Sequence, residues 1–166
     1  MGKVCSLRQL SSIRETLRQE RRIVVLTNGC FDLLHLGHVR YLQQARALGD
    51  CLIVGVNSDA SVRRLKGPSR PLQPEADRAE ILAALVCVDY VVLFGDDTAK
   101  RLVDTLRPDI YVKGGDYAAA SQEELLNILP EARVVRSYGG RVQVLPYVPG
   151  KSTSALVQRI AQGREP

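Results

Sequence analysis

Between Ile23 and Ala161 two periodicities alternate, and this limits the possible folds more than any other feature of the chain. Short runs rich in β-branched residues, 23–27, 51–56, 90–93, 110–113 and 142–145, read as strands. Helical patterns separate them: from near Gly37 to Gly49, from about Asp59 to a Pro/Gly break over 67–74, then 75–85, 98–106 and 153–161. A weaker region covers 117–129, and Leu7, Leu10, Ile13 and Leu17 mark an amphipathic opening helix from Ser6 towards Arg21. Strands alternating with helices build a parallel sheet covered on both faces, with ligands at the carboxyl ends of the strands. The expectation is a three-layer α/β fold with a parallel sheet of about five strands. All 166 residues form one domain in this reading, with 1–21 an added helix and 23–160 the catalytic core.

Composition narrows the function class. With 45% hydrophobic and 25% charged residues the chain is neither disordered nor a coiled coil. Its longest apolar run, 81–88, falls far short of the roughly 18 residues a membrane helix needs. The net charge of +5 points to an anionic partner. Six Tyr, two Phe, no Trp and no block of five like charges make a poor platform for nucleic acid, which leaves small phosphates. The four cysteines form no C-x-x-C pair, so no structural zinc site is expected. Met1 to Ser6 fits the loose myristoylation pattern, but such short patterns match easily by accident, and an ordinary amino terminus is expected. With no apolar leader segment, the expected location is the cytoplasm, without membrane attachment.

The chain has two histidines, His35 and His38, so all imidazole chemistry is confined to one place. No G-x-G-x-x-G comes after the first strand, and Gly150-Lys151-Ser152 has Leu145 where a phosphate-binding P-loop needs its first glycine. The first strand runs instead into TNGCFDLLHLGH, residues 27–38. If His35 precedes the next helix and His38 begins it, both rings can face a ligand at the positive helix end. Gly37 leaves the approach uncrowded. A phosphate there would meet free backbone N–H groups, the helix dipole and two imidazoles, as charge developing on a nucleotide's phosphates requires. Two structural histidines are the plain alternative. A two-histidine metal site is weaker, because no Cys, Glu or third His stands at ligand spacing.

This segment resembles the H-x-G-H motif of the nucleotidylyltransferase superfamily. Residues 27–42 (TNGCFDLLHLGHVRYL), 56–71 (VNSDASVRRLKGPSRP) and 108–117 (PDIYVKGGDY) are similar to the heptose 1-phosphate adenylyltransferase family, in a stand-alone form, over about 23–160. The resemblance implies a Rossmann-like fold and transfer of AMP from ATP to a heptose 1-phosphate, giving ADP-heptose and pyrophosphate. It implies Mg²⁺ carried on the triphosphate, with no dedicated metal cage, and a homodimer or higher homo-oligomer. Glycerol 3-phosphate cytidylyl transfer is the alternative reaction, because the H-x-G-H motif does not read the base. A non-catalytic nucleotide-binding protein is the alternative from another class.

Carried onto this sequence, the resemblance makes His35, His38 and Lys66 catalytic. The nucleotide site comprises Asn28, Gly29, Cys30, Phe31, His35, Gly37, His38, Lys113, Gly114, Gly115, Asp116, Ser152, Thr153 and Ser154. Asp32, Lys66 and Arg78 would hold the sugar phosphate. Each has a plainer counterpart. Asp32 orients the acceptor or Mg²⁺, or caps a turn. Arg78 meets phosphate or forms a salt bridge on a helix surface. Arg63 and Arg64, in the basic cluster with Lys66 and Arg70, equally suit a solvated helix face. Ser152, Thr153 and Ser154 open the last helix, where hydroxyls serve capping and anion binding alike. Residues 118–140 match the family poorly, and no functional residue is expected there. Residues 138–141 read as a turn into the last strand.

Overall fold

The computed structural model describes residues 2–115, 120–146 and 148–163. In chain order the elements are β1 (Lys3–Val4), α1 (Leu7–Gln19), β2 (Val24–Gly29), α2 (Leu36–Arg46), β3 (Cys51–Asn57), α3 (Asp59–Lys66) and α4 (Glu75–Ala83). Then come β4 (Tyr90–Phe94), α5 (Lys100–Leu106), β5 (Ile110–Gly114), α6 (Gln122–Ile128), α7 (Ala132–Ser137), β6 (Arg141–Leu145) and α8 (Thr153–Ala161). The strands make one parallel sheet of order β1-β4-β3-β2-β5-β6. The expected Rossmann-like α/β architecture is present with six strands instead of about five. The addition is β1, whose two residues pair with Tyr90 and Val91 and are too short to show any periodicity. Within the weak region lies α6, of seven residues, and α7, of six, follows it. The turn expected over 138–141 is made by Gly139 at φ +84°.

Strand side chains alternate between two cores. Val24, Leu26, Ile53, Tyr111 and Val142 pack with Leu10, Leu102, Leu106, Leu125 and Val135 from α1, α5, α6 and α7. Val25, Leu52, Val54, Val91 and Val112 pack on the opposite face with Leu42, Ala45, Ala79 and Leu82 from α2 and α4. Burial on both faces explains why these strands read as continuous apolar runs.

The amino ends of the strands obey a rule of their own. Asp50, Asp89 and Asp109 each precede a strand, and each carboxylate accepts a backbone N–H of the neighbouring strand's start: Ile23 at 2.8 Å, Leu52 at 2.7 Å and Val24 at 2.8 Å. Arg14 from α1 closes on Asp109 at 3.2 Å and on the Arg107 carbonyl at 3.0 Å. The amino edge is therefore tied down by carboxylates. The carboxyl ends of β2 and β5, where the strand order reverses, are left for ligand chemistry.

Leu52 is fully buried in the central layer, whereas Ile81 is 39% exposed. Leu52→Ala should cost about 3 kcal/mol in urea unfolding. Ile81→Ala should cost under about 1 kcal/mol. Equal losses would contradict the assigned cores.

Candidate active site

The loop from Cys30 to His35 leaves β2 without regular structure, and two buried charges, one from α4 and one within the loop, give it its shape. Arg78 on α4 is 1% exposed, and its guanidinium donates to the Cys30 carbonyl at 2.6 Å, the Gln73 carbonyl at 3.0 Å and the Asp59 carboxylate at 2.7 Å. Asp32 is also buried. Its Oδ1 accepts the Leu72 and Gln73 N–H groups at 2.7 and 3.2 Å, and its Oδ2 accepts from Arg70 at 2.7 Å. Burial alone would raise the Asp32 pKa, but these three donors hold it below the usual carboxylate range. Phe31, between the two anchored residues, takes the left-handed conformation at φ +47°. Its ring packs edge-on against His38, with centroids 5.2 Å apart.

His35 is the residue before α2, in extended conformation and with no side-chain cap; His38 lies in the first helical turn. Their rings stack with centroids 3.8 Å apart and an interplanar angle of 20°. A Cβ on Gly37 would come within 2.9 Å of the His35 ring and 3.2 Å of the Lys151 Cβ, so glycine lets these groups converge. Neither His35 Nδ1 nor His38 Nδ1 has a hydrogen-bond partner among the described residues, although both are buried. Burial, and then the His35 ring beside it, push His38 down to about 4, against a raising effect of the Leu33 backbone. Burial and the nearby Lys151 lower His35. With both groups below their ordinary value, the rings are uncharged at neutral pH, and each keeps an Nδ1 without a protein partner among the described residues.

The start of α8 comes against the same loop. Thr153 Oγ1 donates to the Leu33 carbonyl at 3.4 Å, and Ser152 Oγ accepts the Ala155 N–H at 3.1 Å. Ser154 makes no such bond in the described structure. Capping thus coexists with proximity to the histidine loop, where Lys151 and His35 both lie against Gly37.

On the other face of the sheet, Asn28 Oδ1 accepts from Tyr111 Oη at 2.6 Å and from Lys113 Nζ at 3.1 Å. Gly55 on the adjacent strand leaves the room: a Cβ there would sit 2.6 Å from Leu102 and 3.2 Å from the Asn28 Cβ. Gly114 ends β5, and the Gly115 N–H donates to the Leu145 carbonyl at 3.1 Å. Asp116 lies outside the described residues. Of the basic cluster, Arg64 is paired with Asp97 at 2.7 Å and Arg70 with Asp32, while Arg63 and Lys66 are exposed. Lys66 is close enough for its charge to oppose the burial that raises the Cys30 thiol. Gly29, Cys30 and Phe31 supply the chain between Asn28 and Asp32. An open groove of about 540 Å³ beside α6 and α7, lined by Arg133, Arg136 and Glu123, contains none of these groups.

Residues 26–159 match the cytidylyltransferase-like family. The chain belongs to that family. It is thereby a nucleotidyltransferase. The bifunctional protein HldE of Syntrophotalea carbinolica is 57% identical over 161 residues, covering 93% of this chain and 31% of that protein. The HldE of Streptomyces coelicolor is 55% identical over 147 residues, covering 89% of this chain and 30% of that protein. This chain therefore spans less than a third of the length of either relative. A lipopolysaccharide core biosynthesis protein from Thermoplasma volcanium superposes with a TM-score of 0.59 at 31% identity, over 76% of this chain and 97% of that one. A pantoate-beta-alanine ligase from Francisella tularensis shares the fold, at TM-score 0.61 and 15% identity over 93% and 69% of the two chains.

One buried charged residue carries no signal in the sequence. Glu131, just before α7, lies in the stretch where no functional residue was expected. It is 3% exposed, its Oε1 accepts the Ala99 N–H at 2.8 Å, and its Oε2 is buried without a hydrogen-bond partner. A glutamate opening a short helix gives no hint of such burial.

The histidines have a pH signature. His38 falls from an ordinary 6.5 to about 4 on folding, so between those values the unfolded chain binds more protons than the folded one. Stability should therefore rise with pH through that window, be complete above about 6.5 and be lost towards 4, by on the order of 2 kcal/mol for this group. Urea unfolding of wild type and His38→Asn from pH 4 to 7.5 checks it. The extra acid-side slope should be confined to the wild type, and parallel curves would refute the assignment.

Proposed function

We propose that this chain transfers AMP from ATP to a heptose 1-phosphate, releasing pyrophosphate and forming ADP-heptose, with 23–160 as the catalytic core. The observation that carries the reading is the uncharged, stacked His35–His38 pair at the start of α2, with unpartnered ring nitrogens, beside the Lys151–Ser154 segment. The sugar rests on kinship: the HldE relatives match nearly the whole chain, and the Thermoplasma volcanium relative is named for lipopolysaccharide core biosynthesis.

In this reading an oxygen of the acceptor phosphate attacks the α-phosphorus in line. The bond from that phosphorus to the bridging oxygen breaks, and pyrophosphate leaves with the electron pair. His35 and His38 donate to phosphate oxygens as negative charge grows on them, and the first-turn amides of α2 and α8 add fixed dipoles. Lys113 meets the nucleotide, with Asn28 beside it. Lys66 meets the acceptor phosphate from the end of α3. Arg78 and Asp32 serve the sugar phosphate by holding the Cys30–His35 loop against residues 70–73, since their polar atoms are taken by protein partners. Among the described residues no group of three His, Cys, Asp or Glu is placed to hold a metal, and both Asp32 oxygens are occupied. Mg²⁺ therefore fits as a companion of the triphosphate, where it supplies charge neutralisation.

The test is pyrophosphate release with ATP, CTP, GTP and UTP against heptose 1-phosphate, glycerol 3-phosphate and other sugar 1-phosphates. ATP with heptose 1-phosphate should be the productive pair. CTP with glycerol 3-phosphate would establish the alternative reaction, and nucleotide binding with no release from any pair would leave a non-catalytic binder. His38→Ala should keep the fold and lose about a hundredfold in turnover. Near-normal turnover in a folded variant would end the role given to the histidines.

A further inference from the structure

A carboxylate is costly to bury unless a cation or several donors lie close. Glu131 is buried with one oxygen on the Ala99 N–H and the other without a hydrogen-bond partner among the described residues. Its surroundings are specific. Leu26, Tyr111, Ala99 and Ala132 share one core, and period-two alternation puts Asn28 and Lys113 on the same sheet face as Leu26 and Tyr111. Tyr111 is fully buried, and its Oη donates to the Asn28 oxygen that also accepts from Lys113. With two donors on Oδ1, the Asn28 carboxamide is held in one orientation, leaving its N–H₂ for a ligand.

We propose that Glu131 is a positioning residue for the nucleotide end of the site, acting as the buried counter-charge behind the Tyr111–Asn28–Lys113 bond network. The inference rests on the nucleotide role of Lys113 given above. Burial lowers the Lys113 ammonium, and Glu131 and then Cys30 oppose that loss. Burial raises the Tyr111 phenol, and the Glu131 charge together with a side-chain hydrogen bond between the two raises it further, so the phenol keeps its proton. Among the described residues, Glu131 from the start of α7, Cys30 from the loop after β2 and Tyr111 on β5 are the titratable groups that face Lys113.

Two full-length variants test this. Glu131→Gln keeps an oxygen for the Ala99 N–H and removes the charge. Tyr111→Phe keeps the charge and removes the bond to Asn28. ATP affinity and pyrophosphate release are measured from pH 6.5 to 10.5. Glu131→Gln should bind ATP more weakly, with the alkaline loss of binding moved about one pH unit lower. Tyr111→Phe should weaken ATP binding without moving that limb. A folded Glu131→Gln protein with the wild-type limb overturns the proposal, and so does Tyr111→Phe with wild-type affinity, should the first variant not fold. NMR titration of the ¹³C-dimethylated Lys113 in the free protein keeps the outcomes separate. A lower Lys113 pKa in Glu131→Gln upholds the counter-charge even if no substrate pair releases pyrophosphate, in which case the functional reading alone fails.

Discussion

The site depends on the buried Arg78 guanidinium. It reaches from α4 to the carbonyls of Cys30 and Gln73 and to the Asp59 carboxylate, joining the loop after β2, the segment before α4 and the start of α3. Asp32 makes the reciprocal tie, from the first of these loops to the Leu72 and Gln73 amides and Arg70. Neither loop has internal regular structure that would fix its shape. Truncating either partner would leave buried polar groups unpaired, which is more costly than the bond's net contribution suggests. His35 and His38 inherit their positions from this frame, because the chain between Cys30 and α2 is anchored at Cys30 and Asp32 and turned sharply at Phe31.

The parallel sheet makes the second constraint. All strands run the same way, so one edge collects every strand start and the other every strand end. The aspartates at 50, 89 and 109 hold the first edge by accepting neighbouring amides. At the second edge, the reversal of strand order between β2 and β5 separates the connections that leave them onto opposite faces. The histidines go with α2 on one face, while Asn28, Tyr111 and Lys113 lie on the other. In the proposed function a ligand at this edge would meet imidazoles from one layer and an ammonium from the other.

The layers and most elements were legible because strands buried on both faces leave continuous apolar runs, and the helices between them leave a 3.6-residue repeat. The two-residue β1 was not, since pairing of Lys3 and Val4 with β4 is a tertiary event with no local pattern. The histidine pair was legible from scarcity and spacing. Arg78 stood out in the sequence, but its complete enclosure did not: a helix-surface salt bridge and a buried three-way tie look alike in sequence. Glu131 left no trace, because its meaning comes from the Ala99 amide and Tyr111, far away along the chain.

The net positive charge divides by residue type. Arg14, Arg46, Arg64, Arg70 and Arg78 are paired with aspartates at 109, 89, 97, 32 and 59, and several also hold backbone carbonyls. Their planar, multi-donor head groups suit fixed geometry between segments. Three of the five lysines stand by the proposed substrate site: Lys113 at the end of β5, Lys66 at the end of α3 and Lys151 before α8. An ammonium on a flexible stem can track a phosphate whose position changes during transfer, which a guanidinium locked into the frame cannot. The imidazoles complete the division. Because burial, with Lys151 beside His35 and the His35 ring beside His38, keeps them uncharged in the free protein, they do not add to the charge repulsion among the lysines. A triphosphate arriving beside them would favour their protonation, coupling substrate binding to proton uptake.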